Sequence, residues 1–160
     1  MTAPVIAYDE RPYRPCVGIF LLNSEGKVFA GRRIDSRAEA WQMPQGGIDL
    51  GETTIEACLR EMEEEIGTRH ATILHEIDEW LNYDIPPALA DRLWHGQYKG
   101  QKQKWVLLRF DGTDSDINIK TEEPEFCEWK WLSPESLIDL AVPFKRDVYR
   151  YVLDAFTPHL

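Results

Sequence analysis

Residues 53–66, TTIEACLREMEEEI, constrain the chain most, because their pattern suits a single regular structure. On a helical wheel Ile55, Cys58, Leu59 and Ile66 fall within about 60° of Met62, an apolar stripe wide enough to seat a helix on a sheet. Thr53 or Thr54 stands where an N-cap hydroxyl belongs, and Gly67 follows the last turn, where a left-handed residue closes a helix. Beside the stripe, Glu65, Glu61 and Glu64 form a continuous acidic arc, whereas Glu63 points across the wheel toward solvent. Like charges at these spacings repel by roughly a few tenths of a kcal/mol per pair, so the arc is either a well-solvated face or the focus of a bound cation.

The twelve residues before this helix, WQMPQGGIDLGE, read as a shaped loop. Gly46, Gly47 and Gly51 allow tight bends and bring backbone donors close to phosphates, or serve the loop alone. Glu52 is placed to brace that loop, and Arg60 to pair with a neighbouring carboxylate. Hard divalent ions such as Mg²⁺ are held between protein carboxylates and substrate phosphates, where they polarise phosphoryl oxygens and activate water. Those are the needs of pyrophosphate hydrolysis.

Charge sharpens this reading. The 160 residues carry 28 acids against 18 bases, a net charge of −10. Seven of those acids, against Arg60 alone, lie within residues 49–65. A broad basic face that follows nucleic acid is therefore excluded, while recognition of a polyphosphorylated end through a local pocket is not. Cys16, Cys58 and Cys127 are widely spaced, which suits buried thiols in a reducing compartment better than a disulfide framework. His70, His75, His95 and His159 have no metal-ligand spacing. No signal-like N-terminus or long apolar run is present, so a cytoplasmic location and no membrane contact are expected.

Along the chain, residues 1–15 read as a flexible, Pro-rich lead-in, and the last few residues as a tail. CVGIFLL (16–22) and VFAGRR (28–33) form a strand pair across NSEGK, and IDSRAEA is loop-like. ATILHEI (71–77), WVLLRF (105–110) and FCEWKWL (126–132) read as strands, and INIK (117–120) as a short one. Pro86–Pro87 interrupts regular structure, and residues 89–104, including KGQKQK, read as a loop. Ser133–Pro134 opens a short helix over 134–140, and a last helix is expected over 145–155. Trp41, Trp105, Trp129 and Trp131 are core or core-edge candidates. The result is one α/β domain over 1–160, a mixed sheet flanked by helices.

Taken together, Gly46, Glu52, Arg60, Glu61, Met62, Glu64, Glu65 and Gly67 match the signature G-x5-E-x7-R-E-U-x-E-E-x-G-U of the Nudix hydrolases, where U is a bulky aliphatic. Thr68 departs from the final position, which bears on packing after the helix. YRPCVGI (13–19), GQKQKW (100–105), INI (117–119), PEF (124–126) and PFKRDVY (143–149) also resemble the branch of that family that acts on 5′-polyphosphorylated RNA ends and dinucleoside polyphosphates.

The resemblance implies an α/β/α sandwich with a central mixed sheet. It also implies Mg²⁺ or another divalent ion such as Mn²⁺, with no organic cofactor. It assigns Glu61, Glu64 and Glu65 to the metal, with Gly46 beside them and Glu125 joining from a distant loop unless it forms a local salt bridge. Glu61 or Glu64 lies near the attacking water, and Arg60 and Glu52 complete the catalytic set. Arg14, Arg33 and Lys145 resemble phosphate contacts, and Phe144 resembles a residue beside the first base, unless these serve surface charge and packing. Lys102 and Lys104 either face the same cleft or belong to a solvated strand lead-in. The expected substrate is a 5′-polyphosphorylated RNA end, with a dinucleoside polyphosphate, or a silent nucleotide-sensing role, as alternatives. No extended duplex binding is expected.

Overall fold

A computed structural model describes residues 6–34 and 40–160. The first five residues of the lead-in and most of IDSRAEA lie outside the described residues. Among the described residues, eight strands form: β1 (Tyr13–Leu22), β2 (Val28–Arg33), β3 (Trp41–Gln42), β4 (Gln45–Gly47), β5 (Ala71–Glu76), β6 (Leu81–Asp84), β7 (Gly100–Phe110) and β8 (Phe126–Leu132). The helices are α1 (Thr54–Ile66), α2 (Pro87–Ala90), α3 (Pro134–Leu140) and α4 (Arg146–Phe156). The strands form one sheet ordered β3-β2-β1-β7-β5, with β4 also on β1, β6 on β7 and β8 on β2. β1 and β7 pair in parallel along their length, from Tyr13 opposite Gly100 to Leu22 opposite Arg109, and the other pairings are antiparallel.

Alternation along these two central strands builds the two halves of the core. Val17, Ile19 and Leu21 of β1, with Val106 and Leu108 of β7, pack against Ala57, Cys58, Met62 and Ile66 of α1. Phe20 and Leu22, with Trp105 and Leu107, face Leu137 of α3 and Tyr149, Val152 and Phe156 of α4. Both faces are thus covered by helices, the expected α/β/α sandwich. Gly18 sits where Trp105 crosses β1, and a Cβ there would overlap the indole ring.

Helix α1 begins and ends as its sequence dictates. Thr53 is the N-cap: its hydroxyl accepts from the Glu56 N–H at 3.1 Å, and Glu56 returns the bond to the Thr53 N–H. Gly67 closes the helix at φ 78°. Thr68 is buried despite its hydroxyl, which accepts the His70 N–H at 3.1 Å and so satisfies the position where the family signature has an aliphatic.

Several expectations require correction. β1 begins at Tyr13, inside the supposed lead-in, because its first residues pair with β7. The glycine-rich stretch contains strands β3 and β4, and β6 forms just before Pro86–Pro87. KGQKQK is mostly strand rather than loop: Gln101 and Gln103 are buried, and hydrogen bonds among them satisfy a polar inward face that hydropathy alone reads as solvated. INIK is not a strand; instead the Asn118 N–H donates to the Ile66 carbonyl at 2.9 Å and terminates α1. Cys16 and Cys58 are buried, whereas Cys127 is exposed on β8. At the C-terminus, residues Thr157–His159 form a 3-10 turn, and His159 stacks on His75 at 4.0 Å.

Candidate active site

The pairing of β4 with β1 brings the glycine-rich loop onto α1. Gly46 lies opposite Val17, on the α1 face of the sheet, and a Cβ at this position would occupy the space of the Glu61 carboxylate. Gly47 points to the opposite face, where a Cβ would meet Arg14 Nη2 at 2.5 Å. The two glycines therefore admit an acid on one side and a cation on the other, which their backbone freedom alone does not indicate.

Arg60 organises the acids. Its Nε donates to Glu52 Oε2 at 2.7 Å and its Nη2 to Glu52 Oε1 at 2.9 Å, a bidentate fork. Nη2 also donates to the Gly47 carbonyl at 2.9 Å, and Nη1 to Glu61 at 2.8 Å and Glu64 at 3.1 Å. Glu52 accepts the Asp49 N–H at 2.8 Å, which ties the loop to the same clasp. The Arg60 hydrogen bonds, followed by that backbone bond, hold the Glu52 carboxyl at about 2. Arg60 and Glu52 are thus bracing groups that position the loop and Glu61.

Glu61 and Glu65 occupy a different environment. Burial pushes the Glu61 carboxyl up despite Arg60, and pushes Glu65 well up, with the charges of Glu61 and Glu125 adding to the effect. Glu65 is 6% exposed, and its Oε2 has no hydrogen-bond partner among the described residues. An orphaned buried carboxylate oxygen is costly unless a cation or proton meets it. Glu65 helps line a cleft of about 560 Å³, together with Arg60, Glu61, Glu63, Glu64 and Arg69 of the helix region and with Thr121, Glu122, Glu123 and Glu125. The acids among these residues offer hard oxygen donors, which suit Mg²⁺ or Mn²⁺. Among the described residues no three acids converge as a finished cage; Glu61 and Glu64 are turned onto Arg60.

The other candidates separate into groups. Glu125 lines the cleft and pairs with Arg33 at 3.3 Å, so the local salt bridge foreseen for it forms at the edge of the acidic group. Arg14 and Arg33 act electrostatically on the acids, Arg14 on Glu61 and Arg33 on Glu65. Lys145 is 7% exposed, with its Nζ donating to Gln42 at 3.1 Å, so it is held inside rather than presented. Phe144 is half-buried and stacks on Tyr83 at 5.9 Å. Lys102 and Lys104 do not line the cleft: both ammonium groups rest on the Trp80 ring, at 4.7 and 4.9 Å, and Lys104 meets Asp78 at 3.4 Å.

Sequence reasoning missed a buried polar network beside Arg14. Gln103 donates to Gln45 and Gln101, Gln45 donates to Gln101, Tyr83 donates to Gln101 at 2.5 Å, and Trp105 donates to Gln103. The alternation that put Lys102 and Lys104 on one face was the available signal, since it puts the glutamines on the other.

Residues 12–152 match the family model described as NUDIX domain. The protein named RNA pyrophosphohydrolase in Roseobacter denitrificans is 55% identical over 151 residues, covering 93% of this chain and 94% of that one. Its namesake in Rhodospirillum rubrum is 56% identical over 150 residues, covering 94% of this chain and 90% of that one. Among solved structures, a C. elegans Ap4A hydrolase binary complex superposes with a TM-score of 0.65 at 23% identity, covering 92% of this chain and 99% of that one. The E. coli dihydroneopterin triphosphate pyrophosphohydrolase superposes with a TM-score of 0.66 at 19% identity, covering 88% and 97%. At these identities the structural likeness speaks to the fold alone.

Proposed function

This chain belongs to the Nudix family, and from that premise we propose that it is a divalent-cation-dependent pyrophosphohydrolase of 5′-polyphosphate ends, with 5′-triphosphorylated RNA as its substrate. The observation that carries the chemistry is the unpartnered, buried carboxylate oxygen of Glu65 beside the desolvated Glu61. The choice of RNA is supported by more than half identity, over nearly the full length, to proteins named RNA pyrophosphohydrolase.

Nudix hydrolases generally need divalent cations. Glu61, Glu64, Glu65 and Glu125 of the cleft, with Gly46 against the Glu61 carboxylate, are the groups that would hold one here. When bound, such an ion supplies Lewis-acid polarisation of a phosphoryl oxygen and a more acidic water. The residues of the chain do the rest. The Arg60–Glu52 clasp holds the loop and Glu61 in place, so the acids need not reorganise as charge develops. Arg14 and Arg33 offset the charge of the polyphosphate. With a net charge of −10, the protein engages the end of the RNA and little of its backbone.

Turnover of a 5′-triphosphorylated RNA oligonucleotide, compared with that of diadenosine tetraphosphate, tests the assignment. Faster loss of pyrophosphate from the RNA is expected. Fast cleavage of the dinucleotide with negligible action on RNA reverses the substrate, and turnover of neither leaves a sensing role. Glu64→Gln should keep the fold and sharply lower turnover; unchanged turnover removes Glu64 from the cation set.

A further inference from the structure

Trp94, His95 and Gly96 hold φ angles of 47°, 58° and 67°, three consecutive residues in the left-handed region. Among the described residues, Trp94 and His95 are the non-glycine residues with positive φ. A bulky residue keeps such a conformation only where its surroundings over-determine it, and such strain concentrates at functional sites. Here the surroundings are specific. Buried Arg11 donates to Asp91 at 2.7 Å and to the Ile6 carbonyl at 2.8 Å, and the Gly96 N–H closes onto the Leu93 carbonyl at 2.9 Å. Tyr98 meets the Trp94 ring edge-on at 5.8 Å.

The strained turn delivers an indole to Arg14. The Arg14 guanidinium carbon lies 5.1 Å from the centroid of the Trp94 ring, and Gly47 leaves room for Nη2. In a chain with 28 acids, Arg14 forms no ion pair among the described residues. Its hydrogen-bond partner there is the weak acceptor Cys16 Sγ at 3.3 Å. A guanidinium held by a π face and a glycine is oriented without being neutralised, so its remaining N–H donors and its full charge stay available for an anion.

We infer that Trp94 is a positioning residue for substrate binding: its indole, held out by the strained turn, clamps the Arg14 guanidinium in the orientation that receives a terminal phosphate. The inference rests on the reading of Arg14 as a phosphate contact. The clamp acts on binding more than on the chemical step.

The test compares Trp94→Leu, which keeps apolar bulk but has no π face, with Trp94→Phe, which keeps both in part. With a 5′-triphosphorylated RNA oligonucleotide, W94L should raise KM by about three- to tenfold, a larger change than in kcat, and W94F should recover most of it. R14A should raise KM as well, and adding W94L to R14A should raise it little further. Independently of activity, the Arg14 Nε–H proton resonance should lie upfield through the indole ring current, move downfield in W94L and keep part of its upfield shift in W94F. An unmoved resonance, or KM effects of W94L and R14A that simply multiply, overturns the clamp. If R14A leaves KM unchanged, the phosphate reading of Arg14 fails, and the functional half of the inference falls with it. A KM raised by R14A but untouched by W94L overturns the clamp alone.

Discussion

The guanidinium of Arg60 lies in the fork of the Glu52 carboxylate, Nε on one oxygen at 2.7 Å and Nη2 on the other at 2.9 Å. They lie eight positions apart across loop and helix, so this pair closes the glycine-rich loop onto α1. Glu52→Gln replaces one accepting oxygen with an amide that cannot accept from Arg60. Turnover should fall by about 10- to 100-fold, as when other orienting groups behind metal ligands are lost, while the circular dichroism spectrum stays unchanged. Wild-type turnover in this variant would show that the clasp does not position the site.

The same clasp sets a pH signature. The Glu52 carboxyl is held at about 2, below its ordinary 4.5. A depressed carboxyl contributes stability that is present above the unfolded value and lost as pH falls through the folded one, here from 4.5 down to about 2. A carboxyl carbon titration by NMR should therefore show Glu52 still ionised after ordinary surface glutamates have protonated. A midpoint at the ordinary glutamate value would mean the fork is not formed in solution.

Gly46 and Gly18 separate function from packing. Gly46→Ala places a methyl in the space of the Glu61 carboxylate and should abolish most turnover with little loss of melting temperature. Gly18→Ala drives a methyl into the Trp105 ring in the middle of the sheet. It should destabilise the fold by roughly 1–3 kcal/mol, the usual cost of overpacking, with turnover per folded molecule retained. Chemical denaturation and steady-state assays on both variants distinguish the two effects.

Glu65→Gln removes a buried charge that lacks a complete set of partners. In metal-free buffer the variant should melt at the same temperature as the wild type or higher, because an unpaired buried carboxylate opposes folding. Millimolar Mg²⁺ should raise the melting temperature of the wild type and do so much less for the variant. Equal Mg²⁺ shifts in both proteins would exclude Glu65 from the cation site.

Lys102 and Lys104 rest on the 40%-exposed Trp80 and do not border the acidic cleft. Converting both to Gln should change KM for triphosphorylated RNA by less than about twofold at physiological salt, where remote surface charge is screened. A loss as large as that from Arg14→Ala would place the substrate across the Trp80 side of the sheet.

The helix of acids was legible because its information is local. The apolar stripe, the Thr53 cap, Gly67 and the acidic arc all depend on spacings within one element, and the helix forms where they place it. The strands Val28–Arg33 and Phe126–Leu132 were legible for the same reason, each carrying its own hydrophobic pattern. β4, β6 and the first half of β7 were not. Their stability comes from partners distant in the chain and from hydrogen bonds among buried glutamines, which composition scores as solvated polarity.

The sequence by itself determined which residues carry charge at the site and in what order along α1, since a helix translates spacing directly into direction. Only the tertiary structure decided what each charge meets. Pairing of β4 with β1 set Gly46 against Glu61 and Gly47 against Arg14. The sandwich buried most of Glu65 while leaving Glu64 exposed on the same helix. It also gave Arg14 an aromatic partner eighty residues away and enclosed Lys145. Burial and long-range contact depend on how elements stack, and in a charged site they decide whether a carboxylate is a solvated surface group or a desolvated one that needs a compensating charge or proton.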